Sequence, residues 1–155
     1  MNKNKSYKIN YLTQRFYEIY NSINYPEIEY KPDRPYMVML IKIDNNTFAV
    51  PFRTRITHRH SYKFKNTSRQ TDKATGLDFT KAVIVNDSDY IGESARVDDE
   101  EYTELDINHY IIIKRFKKYV SEYIKFKKGL LPPQLGGNYR YTTLKYFHKE
   151  LGIEK

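Results

Sequence analysis

A short basic stretch constrains this chain more than any other part of its sequence. From Ala49 to Lys65 it reads AVPFRTRITHRHSYKFK, an apolar strand-like segment that contains Pro51 and runs into polar and basic residues. Those residues are Arg53, Thr54, Arg55, Thr57, His58, Arg59 and His60. Strands prefer β-branched and aromatic side chains, and protein cores almost never contain unpaired arginine. The expected reason for this stretch is therefore a ligand outside the chain, and phosphate suits it best.

Length and composition predict one domain. A chain of 155 residues has the usual size of a single unit, so residues 1–155 are expected to share one core. The absence of cysteine excludes disulfides, thiolate nucleophiles and cysteine-based zinc sites. No apolar run is long enough to span a bilayer, and the N-terminal MNKNKSYKIN lacks the apolar core of a signal peptide. We therefore expect a soluble, cytoplasmic protein.

Charge is distributed unevenly along the chain. The net charge is +8, yet the segment from Asp87 to Asp106 holds nine acidic residues and only one basic residue, Arg96. The remainder has 26 basic residues against 10 acidic ones, which is typical of a polyanion binder. Sixteen tyrosines and eight phenylalanines accompany these charges, and aromatic faces stack on unpaired bases, so single-stranded RNA is the favoured polyanion. An AT-rich genome explains the tyrosines equally well.

Hydrophobic periodicity predicts the first elements. Apolar residues at helical spacing predict a helix from Asn10 to Ile23. Two apolar runs, Tyr36–Ile43 and Thr47–Phe52, are predicted to form a hairpin through Asp44-Asn45-Asn46. Within the second run, Pro51 indicates that this strand lies at a sheet edge or bulges there. Residues 1–9 are expected to be frayed or to form a short edge strand.

The second half of the chain is predicted to be mainly helical. Residues 53–75 are expected to form a long basic loop, followed after Gly76 by a strand from Lys81 to Val85. The longest helix is predicted over Ile107 to Lys128, with an apolar stripe on one side and Gly129 as its C-cap. Clustered strands flanked by helices favour an α+β fold with an antiparallel sheet.

Three smaller features complete this pattern. Residues 130–141 are expected to form an ordered loop or a short strand, and Thr143 is expected to cap a final short helix that buries Leu144, Phe147 and Leu151. Tyr90-Ile91 is a candidate short strand inside the acidic segment 87–106. That segment has three open roles: to repel RNA from one side, to complement the N-terminus of the long helix, or to pair internally with Lys and Arg.

The basic stretch has the composition of a catalytic site for RNA cleavage. RNA supplies its own nucleophile, the 2′-hydroxyl, so cleavage needs a base, an acid and cations around the phosphate. His58 is the candidate proton carrier, and Arg53 and Arg55 are the candidate cations. Two simpler interpretations stay open: His58 only hydrogen-bonds the backbone, or His58 and His60 form half of a metal site that lacks further ligands.

Other candidates come from neighbouring segments. Thr54 suits phosphate positioning or a simple turn, and Lys81 suits phosphate binding or the protection of a strand edge. The hairpin is expected to bring Arg34 near the basic stretch, although an exposed loop cation explains Arg34, and core packing explains Tyr36, equally well. The residues expected to bind RNA are Tyr30, Arg34, Tyr36, Arg55, Arg59, His60, Lys63, Lys65, Lys114 and Lys118. The last two lie on a basic helix face of the kind that is usually only solvated.

Two runs of sequence resemble a known family. RPYMVMLIKIDNNTFAVPFRTRITH and TGLDFTKAVIV resemble the ToxN/AbiQ superfamily of endoribonuclease toxins from type III toxin–antitoxin systems, most of all its CptN/TenpN branch. The resemblance spans most of the chain. It implies a compact, strongly twisted antiparallel sheet with surrounding helices, similar to the MazF and CcdB toxins. It also implies sequence-selective RNA cleavage without metal or other cofactor, leaving a 2′,3′-cyclic phosphate, and a possible role in abortive infection by phage.

The resemblance further implies partners and site residues. The partners are messenger RNA substrates and a small antitoxin RNA of pseudoknotted repeats, which the toxin processes and which inhibits it in a closed protein–RNA assembly; DNA and membranes are not expected. Tyr30 and Arg34 match a Tyr and a Lys of the family, and Lys81 matches a Lys before a later strand. Arg53 and Thr54 fall on a Thr-Ser pair, of which Thr54 is the better match. A family Lys two residues further on is replaced by Ile56, so His58 or Arg53 must supply its function. The catalytic set expected here is His58, Thr54, Arg53 and Lys81.

Two other functions compete with this one. A non-catalytic RNA-binding protein would use the same basic face. A toxin of similar fold that poisons a protein target, as CcdB does, is disfavoured by the dense Arg and His content of the basic stretch.

Overall fold

The computed structural model describes residues 7–28, 37–65 and 74–153, and shows an antiparallel sheet of seven strands with helices packed against it. The strands are β1 (Tyr7–Leu12), β2 (Met37–Ile43), β3 (Asn46–Ile56), β4 (Ser61–Lys63), β5 (Ala74–Asp78), β6 (Val83–Ile84) and β7 (Ile91–Ser94). Their order in the sheet is β4-β5-β3-β2-β1-β7, with β6 also paired to β3. The predicted α+β fold is therefore correct.

Three α-helices and four 3₁₀ turns complete the described structure. The helices are α1 (Gln14–Ile19), α2 (Asp99–Lys127) and α3 (His148–Leu151), and the 3₁₀ turns span Phe79–Lys81, Ser88–Tyr90, Pro133–Tyr139 and Thr143–Tyr146. The apolar stripe of α2 packs on the sheet, where the Phe116 ring meets Phe48 edge-on at 5.3 Å. Ile112, Phe116 and Tyr123 on this stripe are buried, and each such side chain contributes about 1.5–3 kcal/mol of hydrophobic stabilisation. None of the described helices is long and apolar enough to cross a membrane.

The first predicted helix is largely wrong. Its first three residues belong to β1, which lies between β2 and β7 and so is not an edge strand. The helix α1 begins only after Thr13, whose side chain accepts a hydrogen bond from the Phe16 N–H, and Ile23 at the predicted end is 88% exposed. The sequence YKINYL alternates in polarity from Tyr7 onward, as a strand does. Its backbone hydrogen bonds are made to β2 and β7, and the helical spacing of apolar residues gives no sign of these partners.

The predicted hairpin is confirmed, but its second strand is longer than expected. β2 and β3 pair from Val38–Pro51 to Ile43–Asn46, joined by Asp44 and Asn45. β3 then continues through the basic residues to Ile56, and β4 and β5 also lie within or next to the predicted loop 53–75. Polar side chains concealed these strands, because exposed positions in a strand need not be apolar.

Pro51 does not lie at a sheet edge, and the bulge lies further along. On the side of β3 away from β2, the partner changes from β6 at Ala49 to β5 at Phe52. Pro51 falls between these two partners, where a missing N–H is tolerated. The pairing of β3 with β5 then shifts between Arg53 and Ile56. The bulge of β3 therefore lies a few residues after Pro51, where it was predicted.

Three further boundaries differ from expectation. Only Val83 and Ile84 of the predicted strand 81–85 form a strand, because Lys81 ends a 3₁₀ turn that Asp78 caps. Helix α2 begins at Asp99 rather than at residue 107, so three acids of the segment 87–106 lie in its first turn, where they complement the helix dipole. The C-cap of α2 is Lys128 rather than the predicted Gly129, which lies one residue beyond it with a φ of +78°.

The C-terminal segment is compact and mostly 3₁₀ in character. Residues 133–139 form a 3₁₀ turn rather than a strand, and the next turn is capped by Thr142 rather than by Thr143. Thr143 instead donates hydrogen bonds to the carbonyl oxygens of Thr80 and Ala82. Leu144 and Phe147 are fully buried as predicted, whereas Leu151 is only partly buried. This segment therefore packs against the turn that follows β5.

Candidate active site

An open groove of about 520 Å³ contains all four predicted catalytic residues. Its walls are the end of β3, the turn that leads to β4, the turn after β5, and residues 137–142. Among the described residues its cationic side chains are Arg53, Arg55, Arg59, Lys81 and Arg140, and its only carboxylate is Asp78. A concave surface with this excess of positive charge attracts and holds polyanions.

A β-bulge shapes the floor of the groove. Arg53 pairs with Gly76 and Ile56 pairs with Ala74, so β3 carries one residue more than β5 across this interval. Arg55, in the bulge, has a φ of +60°, the left-handed region that disfavours L side chains by about 1 kcal/mol or more. The side chains of Thr54 and Arg55 are exposed and line the groove. Bulges redirect side chains next to functional sites, and this one presents two phosphate-binding candidates.

Gly76 lets the strands approach closely behind this bulge. A Cβ at this position would lie 1.9 Å from the carbonyl oxygen of Tyr62 on β4. Gly76 pairs with Arg53 on one side and Lys63 on the other. Only glycine therefore allows β5 to hold β3 and β4 together at this point.

Asp78 is the central hydrogen-bond acceptor of the groove, and sequence reasoning did not assign it a role. It is 5% exposed, and its Oδ1 accepts from the Thr80 N–H at 3.0 Å and from the Thr80 hydroxyl at 2.6 Å. The same oxygen lies 3.1 Å from His58 Nε2, and Oδ2 lies 3.8 Å from Arg53 Nε. The sequence Asp-Phe-Thr is typical of such a local turn, and from it the hydrogen bonds between Asp78 and Thr80 could have been predicted. Asp78 thus fixes both a cation and an imidazole.

His58 has a defined tautomer. Its Nδ1 accepts a hydrogen bond from the backbone N–H of His60 at 3.1 Å, so the neutral ring carries its proton on Nε2 and donates it to Asp78. Both ring nitrogens therefore have a protein partner in this structure. Substrate must displace the His60 N–H, or the Asp78 contact, before His58 exchanges a proton with it.

Contacts with α2 hold this turn in place. The Ser61 hydroxyl donates to the His58 carbonyl oxygen at 3.1 Å, and Arg115 of α2 donates to the Ser61 carbonyl oxygen at 2.6 Å. The Arg115 guanidinium also lies over the Tyr62 ring at 5.9 Å. The long helix thus positions His58 without lining the groove.

His60 is the second imidazole of the groove. It is half-buried, and its ring centroid lies 5.5 Å from that of Tyr119. Burial lowers the pKa of His60, and electrostatic interactions with Arg59 and His58 lower it further, while a hydrogen bond with Asn138 opposes this shift. A neutral imidazole in a cationic groove can accept a proton. His60 was predicted only to bind RNA, and its geometry suits proton transfer as well.

Lys81 joins two walls of the groove. Its Nζ donates a hydrogen bond to the carbonyl oxygen of Tyr141 at 3.2 Å. The 3₁₀ turn that ends at Lys81 is set by the Asp78 cap, so the predicted cation and the missed carboxylate belong to one local structure. Asn138, Arg140 and Tyr141 were also missed, because nothing in the sequence shows that residues 137–142 approach β3.

The groove does not contain every predicted RNA-binding residue. Tyr30, Arg34 and Tyr36 fall outside the described residues, so their predicted roles stay predictions. The four lysines expected to bind RNA do not line the groove; they are Lys63, Lys65, Lys114 and Lys118.

Two other expectations are clarified by local contacts. The Lys65 N–H donates to both carboxylate oxygens of the buried Glu104, at 2.9 and 3.0 Å, which fixes the end of β4. Ile56, which replaces a lysine of the resembling family, is 5% exposed, so an apolar side chain suits its position.

The arrangement can bind a phosphodiester and move a proton beside it. Cations surround the open space, a carboxylate orients one imidazole, and a second imidazole lies on the same turn. Within the described residues, no three His, Cys, Asp or Glu side chains are grouped so as to hold a metal ion. Comparison of the chain with known protein families, with curated proteins and with solved structures found no match.

Proposed function

We propose that this protein is a cytoplasmic endoribonuclease toxin of a type III toxin–antitoxin system. It cleaves messenger RNA selectively and leaves a 2′,3′-cyclic phosphate. The observation that carries the proposal is the groove that holds five cationic side chains around an imidazole oriented by Asp78. Cleavage through the 2′-hydroxyl needs these two kinds of group together: cations for the developing charge on phosphate, and a proton carrier within reach.

The proposed mechanism has one transesterification step. A base removes the proton of the 2′-hydroxyl, the 2′-oxygen attacks phosphorus, and the 5′-oxygen leaves with a proton from an acid. Arg53 and Thr54 hold the phosphate, and Lys81 stabilises the charge that develops on it. Once RNA displaces the His60 N–H from Nδ1, His58 accepts the proton of the 2′-hydroxyl there and then delivers it to the 5′-oxygen. His60, a second neutral imidazole on the same turn, is the alternative proton acceptor. Arg34 is proposed to hold the phosphate together with Arg53 and Thr54, and Tyr30 and Tyr36 are proposed to stack on or orient the RNA.

The proposed inhibitor is a small antitoxin RNA of pseudoknotted repeats, which the toxin processes and which occupies the same groove. An inhibitor of this kind uses the charge that substrate uses, so it prevents cleavage by competition. The basic residues outside the groove, such as Lys114 and Lys118, suit contacts with a folded RNA that is larger than the substrate. The resulting assembly is closed, and its biological role is proposed to include abortive infection by phage.

Incubation of the purified protein with messenger RNA in excess EDTA tests the proposal. We expect cleavage to continue, because the mechanism uses no metal, and the 5′ fragments to end in a 2′,3′-cyclic phosphate. Absence of cleavage under conditions where RNA is bound would refute the enzyme assignment.

The role of His58 has its own test. A His58→Ala variant is expected to lose growth arrest and RNA cleavage while it keeps its fold, because Asp78 retains its contacts with Thr80 and Arg53. A variant that cleaves RNA at the wild-type rate would overturn the assignment of His58 as the proton carrier. His60 would then be the remaining imidazole of the groove for that role.

One observation favours a second candidate, a non-catalytic RNA-binding protein. Both nitrogens of His58 are engaged by protein groups, and Lys81 is bonded to the Tyr141 carbonyl oxygen, so the groove is already well ordered without substrate. A protein of this class binds RNA and leaves it intact in the incubation described above. The groove charge disfavours a toxin that acts on a protein target, since such a target does not require five clustered cations.

A further inference from the structure

One exposed aromatic ring lies in the groove. Among the described large hydrophobic side chains that are exposed, Tyr141 is the one that lines this cavity, with 61% of its surface accessible. The others that are aromatic, Tyr102 and Tyr110, lie on α2 away from the groove. A large ring at the surface of a cationic cavity calls for an explanation, because Tyr139, two residues earlier, is buried in the core.

The backbone that carries this ring is held on both sides. Tyr139 is buried, and its ring packs on Tyr123 at 5.4 Å. Thr142 is 1% exposed, accepts a hydrogen bond from the Tyr119 hydroxyl at 2.9 Å and caps the next turn. The carbonyl oxygen of Tyr141 itself accepts from Lys81. The ring is thus presented from a fixed support, which lowers the entropy lost when a ligand binds to it.

A cation accompanies the ring. The guanidinium carbon of Arg140 lies 5.6 Å from the centroid of the Tyr141 ring, a cation–π contact, and no other ring packs on Tyr141 among the described residues. Arginine beside an aromatic face is the combination that binds single-stranded nucleic acids: the ring stacks on a base and the cation meets the backbone. Lys81, a predicted phosphate ligand, is one hydrogen bond from the same residue.

We propose that Tyr141 and Arg140 form a base-stacking subsite, in which an unpaired base of single-stranded RNA stacks on the Tyr141 ring while its phosphate lies toward Lys81 and Arg53. This subsite rests on the proposed function and gives it a substrate class: RNA in which the nucleotide at the groove is unpaired. A base in a duplex is already stacked on its neighbours, so duplex RNA does not satisfy the subsite.

Binding of an RNA that cannot be cleaved tests the subsite separately from catalysis. The probe is a short single-stranded 2′-O-methyl oligonucleotide, which lacks the nucleophile, and its partner is the same oligonucleotide with abasic nucleotides. We expect Tyr141→Ala to weaken binding of the first probe by about 5- to 100-fold, the usual range for loss of one stacked base. Binding of the abasic probe is expected to stay unchanged.

Matched variants identify the interaction. Tyr141→Phe keeps the ring and is expected to bind like the wild type, and Tyr110→Ala, which removes an even more exposed ring on α2, is expected to have no effect. The proposal is overturned if Tyr141→Ala binds both probes like the wild type, or if Tyr141→Phe loses as much affinity as Tyr141→Ala. If these binding results hold and unmodified RNA is still not cleaved by the wild-type protein, the subsite stands and the enzyme assignment fails.

Discussion

Asp78 contacts three of the side chains that build the groove and is itself almost fully buried. A buried carboxylate is stable only when charged or hydrogen-bonded partners compensate its desolvation, and Thr80, His58 and Arg53 do so here. The same contacts fix the orientation of His58 and Arg53. Stability and site geometry therefore depend on one side chain.

Asp78→Asn is expected to lower RNA cleavage roughly 100-fold, because the amide loses the ion pair with Arg53 and misplaces His58. Single-turnover cleavage assays measure this effect. Asp87→Asn is the matched control, since Asp87 also caps a 3₁₀ turn but lies outside the groove. Equal activity of the two variants would contradict the role of Asp78.

The titration of His60 adds a pH dependence to stability. Burial lowers the pKa of His60 in the folded state, with electrostatic interactions with Arg59 and His58 as further causes, and burial also lowers the pKa of His148. The unfolded state then binds more protons below the ordinary histidine pKa. The free energy of unfolding is therefore expected to fall as pH decreases from about 7.5 to about 5.5.

Urea unfolding at several pH values measures this slope. His60→Gln and His148→Gln are each expected to reduce it, because glutamine does not titrate in this range. A wild-type protein that becomes more stable on acidification across this window would contradict the assignment of both histidines as neutral in the folded state.

At the level of elements, β3 decides both the sheet and the site. It pairs with β2, β5 and β6, and the bulge lies near its end, between Arg53 and Ile56. The first half of the strand is buried, whereas Thr54 and Arg55 are exposed to the groove. One strand thus passes from core to functional surface, and the bulge marks the transition.

Replacement of Arg55 by glycine separates the two roles of the bulge. Arg55→Gly is expected to stabilise the fold by up to about 1 kcal/mol, because glycine adopts a positive φ without strain, and to weaken RNA binding through the loss of a cation. Chemical denaturation and RNA titration measure the two effects. Asp44→Gly, at a φ of +55° in the β2–β3 turn, is the control: it is expected to leave RNA binding unchanged. An Arg55→Gly protein that is less stable than the wild type would contradict this view of the bulge.

The sequence identified the elements with strong apolar patterns and missed those set by pairing. The β2–β3 hairpin and α2 follow from continuous apolar runs and a long helical stripe. β1 and the end of β3 contain polar residues at exposed positions, and their partners are distant in sequence, so local patterns did not reveal them. Strand boundaries that depend on tertiary pairing cannot be read from a single segment.

The residues of the candidate site were also predicted only in part. Arg53, Thr54, His58 and Lys81 were identified from composition and from the family resemblance, and all four line one groove. Asp78, Asn138, Arg140 and Tyr141 were not assigned, because an acidic or polar residue gains a role here only through its position in the fold. Functional residues that cluster within one stretch can be recognised in a sequence. Residues of a distant stretch that reach the site only in the folded chain cannot.

For the whole molecule, charge is separated between surfaces. The exposed acidic residues of segment 87–106 do not line the groove, whereas the groove collects five cations from four parts of the chain. These exposed acids are Asp87, Asp89, Glu93, Asp98, Asp99 and Glu100. This separation favours one orientation of an approaching polyanion. The three acids in the first turn of α2 support the second role considered for the acidic segment, and the Arg96–Asp99 ion pair at 3.6 Å supports the third, whereas repulsion of RNA stays a prediction.

Salt dependence measures which cations meet RNA. Each phosphate contact to a single strand contributes about 0.7 to the slope of log affinity against log salt, so Arg140→Gln is expected to reduce that slope by about this amount. Lys128→Gln, at the exposed C-cap of α2, is expected to change it much less with a short RNA. Equal slopes for the two variants would contradict the groove as the RNA-binding surface.

Two walls of the groove come from segments that are far apart in the sequence, so the ribosome synthesises them at different times. Lys81 and Tyr141, which join two of the walls, are 60 residues apart. A ribosome that adds about 5–20 residues per second completes the second wall roughly 3 to 12 s after the first. A nascent chain that ends before Gly137 therefore carries the bulge, His58 and His60 without the wall that residues 137–142 contribute. We therefore expect the nascent chain to lack the proposed base-stacking residues Arg140 and Tyr141, and to bind RNA less tightly, until residue 142 has been translated.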